Sequence, residues 1–474
     1  MSETIHTMSG GFAAKTAEDW RPLAEKALRG ADFDETLGRA SADGIDRGTA
    51  FFERADNAGA VDLRERDLHL PWGMRASIVE ATPETANEAA LADLMGGVSE
   101  LELNLDPRGE TGLAANDVDA LDAALKGVDL SLAPIHLDVI LGQGTHAHHL
   151  LALYARRRID GETLEGGLGL NPIGRAARQN VDLDPECFDK AKAHVQLCQA
   201  AFPKLKIFRA DGALAFEAGA TEAQELAVMA GKVAAYMRLM GECGMSADEA
   251  SQAIEIKLAA DTDIHLTIAK LRAARRVFAQ IASSFGATAK RANIHVVTAG
   301  RMLSAKDPWT NLIRNACAGF AAAAGGADSI TIRPMTDALG RPGSFARRVA
   351  RNLHILLAEE SHIGKVTDPA AGGYLHEHLT EQLAQKAWTK FQDIERKGGL
   401  VAAFADGSLQ AEIAAAREAR VQQIADGSEI ILGVTKYPDP DPKPVETGDA
   451  WGEATSPDSP LAPVSLAASF EGKD

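Results

Sequence analysis

The chain has 474 residues, 46% hydrophobic and 24% charged, which is ordinary for a soluble globular protein. That length supports a core needing neither disulfide nor metal, in one large domain or two to three smaller ones. A net charge of −18 and a pI near 5.2 argue against nucleic acid or an anionic membrane as the main partner, although a local Arg cluster would still hold an anion.

Residues 1–16 are polar and Gly/Ser-rich, with no basic segment leading into an apolar one, so neither a secretion signal nor an Arg-rich presequence is expected. A helix is predicted over Ala17–Arg29 with Gly30 as its stop. Phe33–Asn57 is turn-rich and aperiodic and reads as an arm that needs a surface to lie on. From Gly97 strand-length apolar runs alternate with helical patterns. The predicted strands are Glu100–Leu105, Pro134–Ile140, Leu164–Leu170, Leu205–Arg209, Ala253–Leu258, Ile294–Thr298, Ser329–Arg333 and Ile363–Val366. Helical spacing fills Asp117–Leu125, Glu222–Met240 and Ile268–Ser284, and closing helices are predicted over Thr380–Lys397 and Gln410–Ile424. Eight strands alternating with helices predict an α/β fold, a closed (β/α)8 TIM barrel. The stretch after Pro438, rich in Pro, Asp and Glu, is expected to be disordered or draped on the surface. No apolar run reaches the ~18 residues of a membrane span.

Four scattered cysteines (Cys187, Cys198, Cys243, Cys317) form no C-x-x-C pair, and their scarcity fits a reducing cytoplasm. His146, His148 and His149 cluster without a carboxylate or Cys at helical spacing, and His376 and His378 also lack a third ligand, so no metal site is expected. His136 and His295 fall inside predicted strands and read as packed residues.

Several collinear blocks resemble the methylmalonyl-CoA mutase family. They are DIHLTIAKLRAARRVFA (Asp263–Ala279), AKDPWTNLIRNA (Ala305–Ala316), GGADSI (Gly325–Ile330), RPGSFARRVARN (Arg341–Asn352), ESHIGKVTDPAAGGYLHEHLT (Glu360–Thr380), QDIERKGGL (Gln392–Leu400) and ILGVTKYP (Ile431–Pro438). PWGMR (Pro71–Arg75) and RPLAEKALRG (Arg21–Gly30) extend the likeness upstream, the latter in the style of the small subunit. Arg272, Arg275 and Arg276 share one helical face; a solvated or inter-subunit salt-bridge face ranks above a CoA-phosphate clamp. Gly372–Gly373 reads as a tight loop after the last strand.

The resemblance also shows what is missing. The family's reacting segment ends in SGYHI-x-EAGA; Gly212, Glu217, Ala218, Gly219 and Ala220 keep that frame, but Tyr and His fall on Ala213 and Leu214. Neither can hydrogen-bond a thioester carbonyl or move a proton. The Tyr of W-T-I-R-Q-Y falls on Ser77, in a frame kept by Trp72, Arg75, Thr82, Glu84 and Asn87. The Gln of T-I-Q-N-D falls on Leu170, the substrate-carboxylate Arg near Asn180, and the Gln and Ser of H-x-Q-T-S-G on Val297 and Ala299. These exchanges predict an axis filled by apolar side chains. The corrin motif D-x-H-x-x-G has no clean match, DLHLPWG placing its Gly one residue late, and a flavodoxin-like corrin domain is not expected after the barrel.

The resemblance therefore implies a small, non-catalytic subunit of a heterodimeric methylmalonyl-CoA mutase, an isomerase that interconverts methylmalonyl-CoA and succinyl-CoA by a radical rearrangement. Residues 1–70 are expected as an arm contacting the partner, 71–438 as the barrel and 439–474 as the disordered tail. No catalytic, cofactor-binding or metal residue is assigned to this chain. Adenosylcobalamin and the acyl-CoA substrate are expected on the large catalytic subunit, in the cytoplasm. Two alternatives stand: a substrate-binding subunit that borrows cobalamin from a separate protein, and a non-enzymatic barrel that binds an acyl-CoA or a mutase.

Overall fold

The structure is a computed structural model. It describes residues 13, 15–38, 40–48, 51, 61–63, 65–139, 143–184, 186–453 and 456–472. Eight parallel strands close into a barrel in chain order: β1 (Gly73–Ile78), β2 (Glu100–Leu105), β3 (Ile135–Val139), β4 (Gly166–Leu170), β5 (Lys206–Asp211), β6 (Ile254–Ala260), β7 (Asn293–Thr298) and β8 (Ser329–Thr331). The first and last strands meet through Gly73 opposite Ser329 and Met74 opposite Ile330.

Seven of the eight predicted strands are present. The eighth, Ile363–Val366, is a single 3-10 turn over Ile363–Lys365. Gly364 lies directly under Pro71 there, away from any strand edge. The missing strand is β1, which the PWGMR block opens. It escapes a search for apolar runs because Gly73, Arg75 and Ser77 break the pattern.

The glycines of β4 have a steric cause. Gly169 sits at φ +61°, and a Cβ there would lie 1.9 Å from the Leu137 carbonyl oxygen. The strand presses backbone to backbone on β3, and its register with β5 slips between Gly167 and Leu170.

Local chemistry sets the helices. Thr16 closes a capping box on α1 (Ala17–Ala27), and Thr221 does so on helix Glu222–Glu242. Asp117 caps Val118–Ala124, and Asp263 caps Ile264–Ser284. Helix Tyr374–Arg396 lies over Glu222–Glu242 and Ile264–Ser284, a third layer outside the barrel. This layer decides the fate of the Arg272–Arg276 face, which is neither solvated nor free for a partner. Arg272 is fully buried and pairs with Asp368 and with Glu377 at 2.8 Å. Arg275 is 2.8 Å from the Ala292 oxygen and 2.9 Å from Asp328. Arg276 reaches Glu381 at 2.8 Å. Gly372 belongs to the start of the outer helix, its N–H donating to Glu377 at 3.0 Å.

The arm divides in two. α1 and α2 (Phe33–Leu37) bury no residue and touch each other through Trp20 edge-on to Phe33 and Arg21 on Asp34. Ser41–Arg47 is seated on the chain's own barrel. There Ile45 is buried, Asp43 accepts from Thr221 Oγ1 at 2.6 Å and Ala223 N at 3.0 Å, and Arg47 pairs with Asp263 at 2.7 Å. Phe52 lies outside the described residues.

The tail, expected to be disordered over residues 439–474, meets the rest of the chain at several points from Lys443 onward. Widely spaced apolar residues pin it: Leu461 is fully buried, and Leu466, Ala467 and Phe470 join Ile424 and Val434 in a small second core. Trp451 donates Nε1–H to the Asp337 oxygen at 2.8 Å. Removing the Leu466–Phe470 anchor, as in Leu466→Asp with Phe470→Asp, is expected to make residues 456–472 sensitive to limited proteolysis while far-ultraviolet dichroism of the barrel is unchanged.

Candidate functional site

A (β/α)8 barrel carries chemistry on its axis and at the C-terminal ends of its strands. Here the strands read polar and apolar by turns: Glu100, Glu102 and Asn104 on β2, His136 and Asp138 on β3, Arg209 and Asp211 on β5, Glu255 and Lys257 on β6. The polar set meets in the middle of the barrel. Arg75 of β1 reaches Glu255 of β6 at 2.8 Å and Glu100 at 2.9 Å. Arg209 contacts Glu255 at 2.8 Å and Glu102 at 2.9 Å. Lys257 bridges Glu102 at 3.2 Å and Asp138 at 2.5 Å. His136 inserts its Nε2 beside Arg75 at 3.1 Å and its Nδ1 beside Glu255 at 3.2 Å. Since β1 and β6, or β2 and β5, are not neighbours in the sheet, these bonds cross the axis.

The expected apolar filling is therefore wrong for the middle of the barrel. Leu170, Leu214, Val297 and Ala299 are buried, but they lie at the C-terminal ends of β4, β5 and β7, around the mouth. Three cations (Arg75, Arg209, Lys257) face four carboxylates (Glu100, Glu102, Asp138, Glu255) below them. A barrel of this size has room for one choice of filling, and an ion cluster satisfies the axis as long as each charge has its opposite.

The electrostatics follow. Burial alone raises a carboxyl, yet Lys257, Arg209 and Arg75 outweigh it and hold Glu102 at about 2. Burial is likewise overcome at Glu255, where Arg75 and Arg209 keep the carboxyl well below its ordinary range. Burial lowers an ammonium, but Asp138 and Glu102 raise Lys257 above its usual value. His295, buried and facing Arg75, is pushed well below the usual imidazole range and stays neutral, its Nδ1 3.0 Å from Ser329 Oγ.

A cavity of about 420 Å³ opens at the N-terminal end of the barrel, between Lys204, Lys206, Arg291 and Glu165. Arg75, Glu100 and His136 line it, whereas Glu102, Glu255 and Lys257 do not. The ion cluster is its inner wall.

The kept EAGA frame is structural. Glu217 accepts from the backbone N–H of Gly300 at 2.9 Å and of Arg301 at 3.0 Å, capping the turn that follows β7. Arg301 donates to the Phe216 and Ala220 carbonyls at 2.9 and 2.8 Å and pairs with Asp261 at 3.0 Å. Ala213 and Leu214 occupy the buried first turn after β5 and belong to the hydrophobic core. Ser77 accepts from Asn104 Nδ2 at 2.6 Å. Asn180, the C-cap of helix Pro172–Gln179, lines a groove of about 380 Å³ with Asp182, Phe404 and Gln410. His136 and His295 are packed, as expected, but on the axis. His146, His148 and His149 open helix Gln143–Arg156. Among the described residues no three His, Cys, Asp or Glu are grouped to hold a metal, and all four cysteines are free thiols.

The axial cluster was the feature missed from sequence. Its signal was present, because parallel strands covered on both faces normally read as continuous apolar runs, and the alternation in ELELN and IHLD announces a polar interior.

Two predictions follow from the cluster. Glu255→Ala leaves Arg75 and Arg209 facing each other without their shared carboxylate, and is expected to lower stability by about 3–5 kcal/mol in urea unfolding. For pH, Glu102 has a folded pKa below its unfolded one, so its stabilisation is complete above about pH 4.5 and is lost as pH falls toward about 2. Glu102→Gln is expected to be less stable at pH 7 and to show a shallower loss between pH 4.5 and 2.5.

Comparison with known proteins agrees with this architecture. The family profile described as methylmalonyl-CoA mutase matches residues 67–454. A methylmalonyl-CoA mutase small subunit of Streptomyces virginiae is 36% identical, over 93% of this chain and 73% of that protein. A probable methylmalonyl-CoA mutase small subunit of Mycobacterium bovis is 37% identical over 86% of this chain and 64% of its own length, so the chain spans roughly two thirds to three quarters of these relatives. The small subunit of Propionibacterium freudenreichii subsp. shermanii is 32% identical over 94% of this chain. With a closed eight-stranded barrel and matching blocks along most of its length, the chain belongs to the methylmalonyl-CoA mutase family, among its small subunits.

Proposed function

We propose that this chain is the catalytically silent subunit of a heterodimeric methylmalonyl-CoA mutase and that its role is to stabilise a catalytic large subunit. The observation that carries this reading is the ion cluster across the axis, with Arg75 to Glu255 at 2.8 Å and Arg209 to Glu102 at 2.9 Å. A pantetheine arm following the axis meets four carboxylates and three cations that are already paired. At the C-terminal mouth, Ala213 and Leu214 offer neither a hydrogen-bond donor nor a proton. The tail adds to the closure there: Val464 N donates to the Glu217 oxygen at 2.9 Å and Leu466 N to the Arg301 oxygen at 3.1 Å. The small-subunit names of the relatives imply a large partner.

The family's cofactor, adenosylcobalamin, does not fit the residues present. His69, the nearest counterpart of an axial ligand, is exposed on the turn before β1, at the N-terminal end of the barrel, with its backbone N–H held by Asp67 at 2.7 Å. That is the end opposite the mouth. The corrin and the radical chemistry it supplies are assigned to the partner, in a soluble complex of the cytoplasm.

The decisive experiment is turnover. The chain purified from a host lacking any mutase is expected to convert no methylmalonyl-CoA with added adenosylcobalamin, and to restore or stabilise activity when co-expressed with a catalytic-type chain. Turnover by the chain alone overturns the reading, and so does a partner that is equally stable and active without it.

The arm gives a second test. α1 and α2 bury nothing on the barrel, whereas Ser41–Arg47 is seated on it. Deleting residues 1–38 is expected to weaken association with the catalytic chain and leave the thermal midpoint of the isolated chain unchanged. Deleting 1–57 is expected to lower both. Unchanged affinity in both deletions shows that the arm serves only its own barrel.

A further inference from the structure

Two histidines far apart in sequence face each other outside the barrel. His265 lies in the first turn of helix Ile264–Ser284 and His376 in the first turn of helix Tyr374–Arg396. His265 Nδ1 and His376 Nε2 are 3.1 Å apart, with ring centroids at 5.1 Å and planes inclined by 49°. Burial first, and then the neighbouring His265, hold His376 below the usual imidazole range, so its ring is neutral at pH 7.

Two imidazole nitrogens at that separation have two uses. One proton between them makes an N–H···N hydrogen bond. Alternatively both lone pairs turn to one cation. At the ~2.05 Å of a zinc–imidazole bond, a 3.1 Å spacing corresponds to an N–metal–N angle of ~98°, between the octahedral and tetrahedral values. The carboxylates nearby are engaged: Asp368 and Glu377 with Arg272, and Asp263 with Arg47. Water would complete the coordination.

We propose that His265 and His376 form a two-histidine chelate for a borderline divalent cation of the Zn²⁺, Ni²⁺ or Cu²⁺ class. Imidazole selects these over Mg²⁺ and Ca²⁺, which require oxygen ligands. The bound ion clamps the outer helix to the barrel layer at the seat of the arm. His378, two residues from His376, holds the Asp46 carbonyl at 3.2 Å and packs on Phe51, and Arg47 holds Asp263, two residues before His265.

The test is calorimetric titration of the full chain, any affinity tag removed, with Zn²⁺, Ni²⁺ and Mg²⁺. One equivalent of Zn²⁺ or Ni²⁺ is expected to bind and to raise the thermal midpoint, with no response to Mg²⁺. His265→Ala and His376→Ala are each expected to weaken binding by about tenfold or more, and His69→Ala, at a distant exposed histidine, to leave it unchanged. The metal-free variants should melt close to the parent, which separates loss of a ligand from loss of fold. Absence of Zn²⁺ and Ni²⁺ binding up to about 1 mM, or binding that survives in the double variant, overturns the proposal and leaves a hydrogen-bonded pair.

Discussion

Glu255 receives a guanidinium from each side of the barrel, Arg75 from β1 and Arg209 from β5, each at 2.8 Å. The interior depends on this shared carboxylate. Without it two buried cations face each other in a low-dielectric space, where a lone charge is far more expensive than a satisfied pair. Around it Glu102, Lys257 and Asp138 alternate in sign, so the charge of each is set by its neighbours. Such a cluster adds little net stability over an apolar core of equal volume. It does fix which strand sits beside which, because a slip of one residue would turn Glu102 toward the helices and Leu103 into the ions.

At the mouth, the Glu217–Ala220 segment holds the loops together. Glu217, Gly219 and Ala220 hold backbone: Glu217 caps the turn after β7, Ala220 receives Arg301, and Gly219 sits at φ +108° against Arg417. Changing any of them disturbs the loops at the mouth. Ala213 and Leu214 lie one helical turn earlier, packed in the core, with the Leu214 N–H donating to Asp211 at 3.1 Å.

Much of the fold was legible in the sequence, and the exceptions have physical causes. The alternation of strands and helices named the barrel, and the helix starts read at Ala17, Asp117 and Glu222 fall within one residue of those observed. The first strand was hidden because its Arg75 and Ser77 point into the axis, while Ile363–Val366 looked like a strand only by composition. Ala213, Leu214, Leu170 and Val297, near the barrel mouth, were readable as single residues. What occupies the axis was not, since it arises from pairs such as Arg75 and Glu255, 180 positions apart, that only barrel closure brings together. The contact of His265 with His376 is hidden for the same reason, and so is the tail, whose few apolar residues find a core only because the barrel provides one.

The seam between β1 and β8 is only two residue pairs long, Gly73 with Ser329 and Met74 with Ile330. It joins positions 256 apart in the chain. At a synthesis rate of about 5–20 residues per second, the ribosome delivers the last strand roughly 13–50 s after the first. Through that interval β1 is an open sheet edge, although the partners of Arg75 (Glu100, Glu102, His136 and Glu255) all precede β8 in the chain. Barrel closure is thus a late event: the charged residues of the cluster are all made before the strand that closes the sheet. The nascent chain most exposed to misassembly is the one that stops just short of Ser329.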